Sequence, residues 1–471
     1  MTEFPSESFP LPDAVEAILD AVSSVGRPFI TGGAVRDWLL GKESKDLDIE
    51  VFACPWDKLI TVLRQNGKVD QVGKSFGVAK LVLANLEIDF SLPRSERKTA
   101  DGHRGFAVTS DPQLNPAKAA LRRDYTINAI SYDWMERKIF DPLHGRKDLE
   151  QKLLRHCSGA FVEDPLRVLR GFQFCSRFGL YPAKDTVDLC REIQGRFSEI
   201  PVERVWMEWE KWATRSLKPS LGLMFLKETG WLNDFPLIAA LCDCPQDPEW
   251  HPEGDVFTHT CHCLDAMVQN PLYLRASRIE QLTLMFATLV HDVGKPATTT
   301  EQFKHGKKRL VSPGHDHVGI ELAANFLHSI GAPHAIIPHV QALVGNHMAS
   351  IHIRKRPSLP QVRRLARKVQ PASLDQLFVL IRADLAGRPP IPATPSEGLL
   401  WLEEVAQEEA LHASAPKPVV LGRHLIDRGL RPGKHFKAIL DELFELQLDG
   451  AFSSLKEAEP FIELACNRNF S

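Results

Sequence analysis

The first part of the chain alternates short apolar runs, typical of strands, with amphipathic helical segments. Residues 11–25 place apolar side chains at helical spacing, and Arg27 to Thr31 form a strand-like run before a Gly-Gly turn. The pattern predicts a helix from about Ala34 and strands at 48–52, 79–83 and 86–92. We therefore expect a small mixed sheet with helices beside it.

The pattern changes after the last of these strands. A polar, glycine-containing stretch between Pro93 and Ala119 predicts a loop, and its length is typical of loops that are functional or disordered. A helical run is expected from Leu121. Beyond about residue 150 the apolar positions follow helical spacing, and proline-rich breaks fall near residues 250 and 390. The fold class predicted is α+β, a mixed-sheet head followed by all-α modules, with domains at 1–140, 141–250, 251–390 and 391–471.

Composition narrows the class of protein. The 471 residues are 44% hydrophobic and 25% charged, which is ordinary for a globular chain too long for one domain. No run approaches ~20 apolar residues and the start lacks a signal-peptide layout, so we expect a cytoplasmic protein with no membrane contact. The nine cysteines, an odd number, are expected to be free thiols. A net charge of -3 means that any nucleic-acid surface must be local. Basic runs at 304–309 and 354–368 are candidates, although a solvated helix face is an equal interpretation.

Two carboxylates follow the predicted Gly-Gly turn. Asp46 and Asp48 are two residues apart, so they share one face of a strand, where they repel unless a hard divalent cation such as Mg²⁺ lies between them. Gly32 and Gly33 would let backbone N–H groups approach a phosphate. The combination indicates a nucleoside triphosphate site.

Two more residues extend this site. Asp89, in a neighbouring strand-like run, could add a third catalytic carboxylate, so that two magnesium ions activate an attacking 3'-hydroxyl and stabilise leaving pyrophosphate. Arg36 lies one turn inside the predicted helix. The competing interpretation of the carboxylates is a solvated strand end.

Further motifs occur in order along the chain. They are Gly32-Gly-Ala-Val-Arg-Asp, Asp46-x-Asp48, Arg122-Arg123-Asp124 with Thr126, Asn128 and Ala129, Asp141-Pro with Gly145, and Glu163-Asp164-Pro-Leu-Arg167-Val-Leu-Arg170. Over about residues 28–235 the chain resembles the bacterial and eukaryotic class of tRNA nucleotidyltransferases, the CCA-adding enzymes, and the related bacterial poly(A) polymerases. The resemblance implies a polymerase-β-like head, a helical neck, and addition of CCA to the tRNA acceptor arm from CTP and ATP.

The resemblance also implies a nucleotide-binding set. Its members are Gly32, Gly33, Arg36, Arg123, Asp124, Asn128, Glu163, Asp164, Arg167 and Arg170. Asp164, Arg167 and Arg170 fall at i, i+3 and i+6 on one helix face, where a carboxylate beside a guanidinium could offer acceptor and donor edges to a base. Asp164 before Pro165 is also suited to capping a helix.

Two positions bear on the product. Gln173 stands where the resembled motif usually has another arginine, so a charge is lost there. The polar stretch with Glu96, Arg97 and Lys98 resembles the flexible loop that CCA-adding enzymes use when switching to ATP, which argues against an enzyme that adds only the two cytidines.

A second group of residues lies in the helical half. A histidine, an adjacent His-Asp pair and a distant aspartate resemble the HD superfamily, which binds a divalent transition metal or magnesium and activates water against phosphate esters. The resemblance implies a metal shell of His259, His291, Asp292 and Asp384, with His317 and His347 as second-metal or substrate contacts. His315 is a further candidate, and Lys295 is either a phosphate contact or a solvated side chain.

In CCA-adding enzymes such a module implies phosphatase, 2'-nucleotidase or 2',3'-cyclic phosphodiesterase activity. Two rival functions stay open. A poly(A) polymerase would be expected to have strongly basic ends, unlike this acid-rich tail, and the chain could instead be chiefly a phosphohydrolase acting on RNA ends. Binding of RNA without catalysis is the weakest alternative. The sequence leaves open the oligomeric state and the substrate of the second site.

Overall fold

A computed structural model gives the structure of the chain. It describes residues 8–43, 46–71, 77–83, 86–98, 106–304, 306–411 and 413–469. The chain divides into two compact units, Met1–Asp234 and Phe235–Ser471. The first contains a mixed sheet with helices and the second is mainly helical, so the predicted α+β class is confirmed. Within the described ranges, no helix is long and apolar enough to cross a membrane.

The described strands of the first unit form a seven-stranded sheet and two short ribbons. In chain order they are β1 (Arg27–Thr31), β2 (Leu47–Phe52), β3 (Lys68–Gln71), β4 (Val78–Leu83), β5 (Leu86–Ser91), β6 (Arg94–Lys98), β7 (Phe106–Ser110), β8 (Ser131–Asp133), β9 (Lys138–Phe140), β10 (Leu153–Leu154) and β11 (Tyr181–Pro182). The sheet order is β3-β4-β5-β2-β1-β8-β9, with β2 and β5 parallel and the other neighbours antiparallel. The ribbons pair β6 with β7 and β10 with β11.

Strand β2 carries the predicted metal ligand Asp48, and Asp46 lies immediately before it. Its residues Leu47, Ile49 and Val51 are buried, so the alternation of side chains turns Asp48 toward the opposite, accessible face. In the parallel pairing of β2 with β5, Asp48 lies opposite Asp89. The sheet therefore brings the third predicted carboxylate level with the second.

Helices of the first unit cover the sheet and extend the chain beyond it. They are α1 (Asp13–Ser23), α2 (Gly33–Leu39), α3 (Trp56–Asn66), α4 (Pro116–Ala120), α5 (Gly145–Glu150), α6 (Leu166–Phe178), α7 (Lys184–Glu192), α8 (Val202–Arg215) and α9 (Pro219–Thr229), with short 3-10 turns at Thr126–Asn128, Gly159–Glu163, Phe197–Glu199 and Trp231–Asp234. Phe172 of α6 packs against Trp209 and Trp212 of α8, with ring centroids 4.7 and 5.7 Å away. This buried aromatic contact fixes α6 and α8 side by side.

Two predictions about residues 93–128 were wrong. The expected loop contains strands β6 and β7, which pair through their backbones, and helix α4; residues 99–105 and the side chains of Glu96, Arg97 and Lys98 lie outside the described part. A helix was expected to begin at Leu121, but helix α4 already ends at Ala120. Asn115 caps α4 through a hydrogen bond from the Ala117 N–H, and the chain then turns.

The second unit contains thirteen described helices and one hairpin. They are α10 (Pro236–Ala239), α11 (Val256–Met267), α12 (Pro271–Arg275), α13 (Arg278–Val290), α14 (Lys295–Thr298), β12 (Thr300–Lys304), β13 (Lys307–Val311), α15 (His315–Ser329), α16 (Ile337–Val344), α17 (Leu359–Val369), α18 (Leu374–Ala386), α19 (Glu397–Glu408), α20 (Gly422–Ile426), α21 (Lys434–Leu448) and α22 (Leu455–Asn469). The unit begins before the boundary expected near residue 250, because the Leu241 and Cys244 carbonyls accept hydrogen bonds from the first turn of α11. The domain divisions at 140 and 390 stay predictions.

The basic run at 354–368 is largely paired with acidic side chains. Arg364 and Arg367 of α17 both donate to Glu445 of α21, at 2.9 and 2.8 Å, and Arg364 also pairs with Asp449. Exposed pairs of this kind contribute little to stability, because solvent screens them. These arginines therefore help to dock the last helices of this unit.

Candidate functional site

A cleft of about 520 Å³ opens in the first unit beside the sheet. Most of the predicted nucleotide and metal residues line it: Gly32, Gly33, Arg36, Asp46, Asp48, Arg123, Asp124, Asn128, Asp164, Arg167 and Arg170. Asp89 and Glu163 do not line the cleft. Asp89 lies opposite Asp48 on the neighbouring strand β5, and Glu163 Oε2 lies 3.6 Å from Arg122 Nη2. The structure thus brings together residues that are more than 100 positions apart in the sequence.

On the acidic side of the cleft, burial and neighbouring negative charges act together on Asp48. Although the Asp48 side chain is accessible, the concave surroundings remove part of its hydration, and this burial raises its pKa. Arg123 opposes that rise, while Asp89 and Asp46 add to it. One oxygen of Asp89, Oδ1, is buried and accepts no hydrogen bond within the described residues. Carboxylates in this arrangement favour a bound cation.

Gly32 keeps the backbone open next to these carboxylates. Its φ is +71°, in the left-handed region. A Cβ at this position would lie 3.4 Å from Asp48 Oδ2 and 3.8 Å from Arg123 Nη1. A side chain would therefore extend into the space between the carboxylate and the guanidinium.

On the opposite side a buried network fixes the charged groups. Arg170 Nε donates to Asp124 Oδ2 at 2.6 Å, and the other oxygen of Asp124 accepts from Asn128 Nδ2 and the Tyr125 N–H. Burial alone would raise the pKa of Asp124, but the Arg170 charge and these hydrogen bonds outweigh it, and the pKa is lowered. Asn128 in turn accepts a hydrogen bond from Arg36. Arg36 is buried and held by Asp37, so it supports the cleft wall from inside.

Asp164 and Arg167, which the spacing predicts as neighbours on one face, have separate partners. Asp164 accepts from the Leu166 N–H at 3.0 Å, as expected of a residue capping α6, and from Arg204 at 3.1 Å. Arg167 donates to the carbonyls of Ala160 and Arg122, both at 2.9 Å. Both side chains are oriented by the protein before any ligand arrives.

The second unit brings six of the residues named from the sequence together, including the further candidate His315. The cluster consists of His259, His291, Asp292, His315, His347 and Asp384. Asp292 is central: its Oδ2 lies 3.2 Å from His291 Nε2, and its Oδ1 lies 3.2 Å from His315 Nε2. Asp384 Oδ1 lies 3.0 Å from His259 Nε2. Two groups of potential ligands result, one containing Asp384 and the other Asp292.

The imidazoles are oriented by hydrogen bonds outside the cluster. His291, His315 and His347 each place Nδ1 at 2.7–2.8 Å from the carbonyl of the residue three positions earlier, so Nε2 faces inward. This arrangement is typical of metal-binding histidines. His259 places Nδ1 at 2.8 Å from Glu253. Burial alone would raise the Glu253 pKa, but hydrogen bonds with His251 and His259 hold it at about 2.

His317, predicted as a ligand, is exposed and lies outside the cluster, and His315 occupies the place expected of it. The reason is geometric, because residues i and i+2 of a helix point about 200° apart and only one can face the cluster. Lys295 is not a solvated side chain. Its Nζ lies 2.6 Å from Asp292 Oδ2.

Comparison with known proteins assigns the family. A family model described as the poly A polymerase head domain matches residues 28–155. The multifunctional CCA protein of Aliivibrio salmonicida is 34% identical over 370 residues, 76% of this chain and 85% of that protein. That of Psychromonas ingrahamii is 36% identical over 330 residues, 69% and 75% of the two chains. This chain belongs to the multifunctional CCA protein family.

Solved structures share the fold of this family member. The Bacillus stearothermophilus CCA-adding enzyme in complex with CTP superposes with a TM-score of 0.64 at 20% identity, covering 98% of both chains. The Thermotoga maritima CCA-adding enzyme complexed with tRNA gives 0.56 at 17% identity, covering 96% of this chain and 94% of that one. The predicted resemblance to CCA-adding enzymes is confirmed.

Membership of the multifunctional CCA protein family implies the use of a divalent metal, and the acidic side of the cleft fits one. The fit rests on Asp89 Oδ1, which is buried and accepts no hydrogen bond from the residues that the structure describes, and on the convergence of Asp46 and Asp48. Carboxylate oxygens are the ligands that hard divalent cations prefer. The assignment of these three residues stays a prediction.

Sequence reasoning missed several residues of both sites. The cleft is also lined by Asp37, Arg177, Arg204, Lys211 and Arg215. Three of these follow the i, i+7, i+11 spacing of one face of α8, a signal that was present in the sequence. Gln173 is buried in the cleft wall, and its Nε2 makes no hydrogen bond within the described ranges. In the second unit Glu253 and Cys263 were missed.

Proposed function

We propose that this chain adds CCA to the 3' end of tRNA, using CTP and ATP and releasing pyrophosphate. The observation that supports it most is the cleft of about 520 Å³ itself, which Asp46 and Asp48 line together with Arg123, Asp124 and Arg170. Membership of the multifunctional CCA protein family supports the same function.

In this proposal the acidic residues of the cleft bind magnesium. We assign Asp46, Asp48 and Asp89 as its ligands, since they converge and one buried oxygen of Asp89 has no hydrogen bond among the described residues. When bound, the ions would supply activation of the tRNA 3'-hydroxyl and stabilisation of the pyrophosphate oxygen. The protein's own part is to keep the carboxylates ionised and fixed, which Arg123 assists by lowering the pKa of Asp48 against the effect of burial.

The nucleotide is held by charges that are already in place. Arg123 is held by Glu50 at 3.0 Å, and Arg170 is held by Asp124, so both cations are oriented for a triphosphate and ribose. Gly32 leaves room for phosphate oxygens next to Asp48. Electrostatic stabilisation is strongest where such groups need no rearrangement.

Base selection is assigned to Asp164 and Arg167 at the start of α6. Asp164 already shares one oxygen with the Arg204 guanidinium, so a base amino group can take the place of that donor. Gln173 adds a neutral donor in the same wall, since its Nε2 is without a hydrogen bond within the described residues. Glu163, which stands outside the cleft lining, has no direct role in this scheme.

The test supplies CTP and ATP separately and together to tRNA lacking its 3' CCA, and measures pyrophosphate release. We expect Asp46→Ala and Asp48→Ala to abolish release and Asp292→Ala to leave it intact. ATP-driven long tails on any RNA would identify a poly(A) polymerase instead. If the two head variants kept the chain's main activity and Asp292→Ala removed it, the chain would be chiefly a phosphohydrolase.

We also propose a phosphohydrolase activity for the histidine cluster, acting on phosphate esters at RNA ends. The observation that favours it is the convergence of imidazole Nε2 atoms on Asp292, with Lys295 beside it to offset phosphate charge. The donor set fits a divalent transition metal or Mg²⁺, which when bound would activate water. The assay is phosphate-ester hydrolysis of 2',3'-cyclic nucleotides after chelation and readdition of metal. Asp292→Ala should lose it, whereas Asp48→Ala should keep it.

A further inference from the structure

A sulfur atom lies among the ligands of the histidine cluster. Cys263 is four residues after His259 on α11, so the two side chains share one helix face. Its Sγ lies 3.3 Å from His259 Nε2, and the thiol is buried. The potential ligand atoms of His259, Cys263, His291 and Asp384 all lie within 4.8 Å of one another.

An independent observation indicates that a ligand belongs at this place. His291 is 1% exposed, and its Nε2 makes no hydrogen bond within the described part of the chain. Its Nδ1 is held by the Thr288 carbonyl at 2.8 Å, so Nε2 is aimed into the cluster. Asp292 Oδ2 lies 3.2 Å from this Nε2, but without hydrogen-bond geometry. A buried polar atom without a hydrogen bond costs about 1–3 kcal/mol. A bound cation would remove that cost.

The surrounding backbone makes room for the thiol. Gly387 ends α18 next to the cluster, and a Cβ there would lie 2.2 Å from Cys263 Sγ and 2.9 Å from His259 Cε1. The carbonyl of Gly387 also lies 3.1 Å from His259 Nδ1. Only a glycine allows the sulfur and the imidazole to occupy their observed positions side by side.

We propose that Cys263 is a thiolate ligand of the cation at this cluster, which makes the centre selective for zinc and similar transition metals over magnesium. The inference rests on the proposed metal-dependent phosphohydrolase. Two imidazoles, a carboxylate and a thiolate form a donor set that suits Zn²⁺, whereas Mg²⁺ takes oxygen ligands. As the ion binds, the sulfur–metal bond replaces the S–H bond, and the proton passes to solvent.

The test uses the full-length chain, stripped by a chelator and titrated with Co²⁺ alone. A thiolate bound to Co²⁺ gives a charge-transfer absorption band in the near ultraviolet. We expect this band in the wild type and in Cys261→Ser, and its loss in Cys263→Ser. Cys261 is a matched control because it is buried on the same helix but lies outside the ligand group. Zinc affinity should fall at least about 10-fold in Cys263→Ser, because loss of even an outer-shell partner of a metal costs about that much. Magnesium affinity should be unchanged.

The possible results separate this inference from the function on which it rests. Cobalt bound by the wild type without the band would overturn ligation by Cys263 and leave the hydrolase centre standing. If the wild type bound cobalt no more strongly than His291→Ala does, both the ligation by Cys263 and the metal centre of the hydrolase would be overturned. Should Cys263→Ser fail to fold by circular dichroism, zinc-edge X-ray absorption of the wild type decides: one sulfur in the zinc shell supports the proposal, and none overturns it.

Discussion

Replacement of Gly32 by alanine tests whether the open backbone beside Asp48 is needed for catalysis. At a φ of +71° an alanine costs about 1–2 kcal/mol of backbone strain. The new Cβ would lie 3.4 Å from Asp48 Oδ2, an ordinary van der Waals contact, so no clash adds to that cost. We expect the melting temperature of the first unit to fall by about 2–8 °C.

Activity should fall much more than stability. The added methyl group occupies the space between Asp48 and Arg123 into which phosphate oxygens must come, and a displacement of about 1 Å in a reacting group costs about 100-fold. The assay is kcat/KM for incorporation of CTP into tRNA lacking its CCA end, measured well below the melting temperature.

Gly41→Ala is the matched control. Gly41 also has a positive φ, +67°, and among the described residues a Cβ there would meet nothing within 4 Å, so the variant carries positive-φ strain without entering the cleft. Both variants should lose stability through positive-φ strain, but only Gly32→Ala should lose transfer activity. Equal kcat/KM in the two would refute the role given to Gly32.

Three further outcomes are expected. Asp48→Asn should lower nucleotide transfer at least about 100-fold with an unchanged circular dichroism spectrum, because even outer-shell partners of a metal are worth about 10–100-fold. His315→Ala should release metal and lose phosphate-ester hydrolysis, while His317→Ala, the exposed neighbour, should match the wild type in both. Arg170→Ala should cost about 2 kcal/mol at pH 7 by denaturant unfolding, less than for a fully buried pair since Arg170 is a third exposed. Because the Asp124 pKa is lowered by folding, that difference should shrink below about pH 4 as the carboxylate protonates; a constant difference would contradict the pairing.

Local patterns in the sequence predicted the framework of the head. The alternation of Leu47, Ile49 and Val51 with polar residues identified β2, and the two-residue spacing of Asp46 and Asp48 placed them on one face. The ribbon of β6 and β7 could not be found in this way, because hairpins held by backbone pairing need no apolar alternation. The parallel register that sets Asp48 opposite Asp89 depends on the tertiary fold and has no local signal.

The partners of charged side chains were the least predictable part. Spacing predicted Asp164 and Arg167 as neighbours on one helix face, but Asp164 lies just before α6, and its side-chain donor is Arg204 of α8, 40 residues farther along the chain. Likewise the choice between His315 and His317 depends on where α15 begins, since helical rotation lets only one of them face Asp292. At these positions the sequence predicted which types of residue form the site, but it did not predict which side chains contact one another.

The 3'-terminal sequence of the product tests the proposed function most directly. The chain is incubated with CTP, ATP and a tRNA that ends immediately before CCA, and the RNA ends are sequenced. We expect addition of C, C and A followed by termination. A tail of adenosines, or an unextended end in the presence of both nucleotides, would contradict the proposed function.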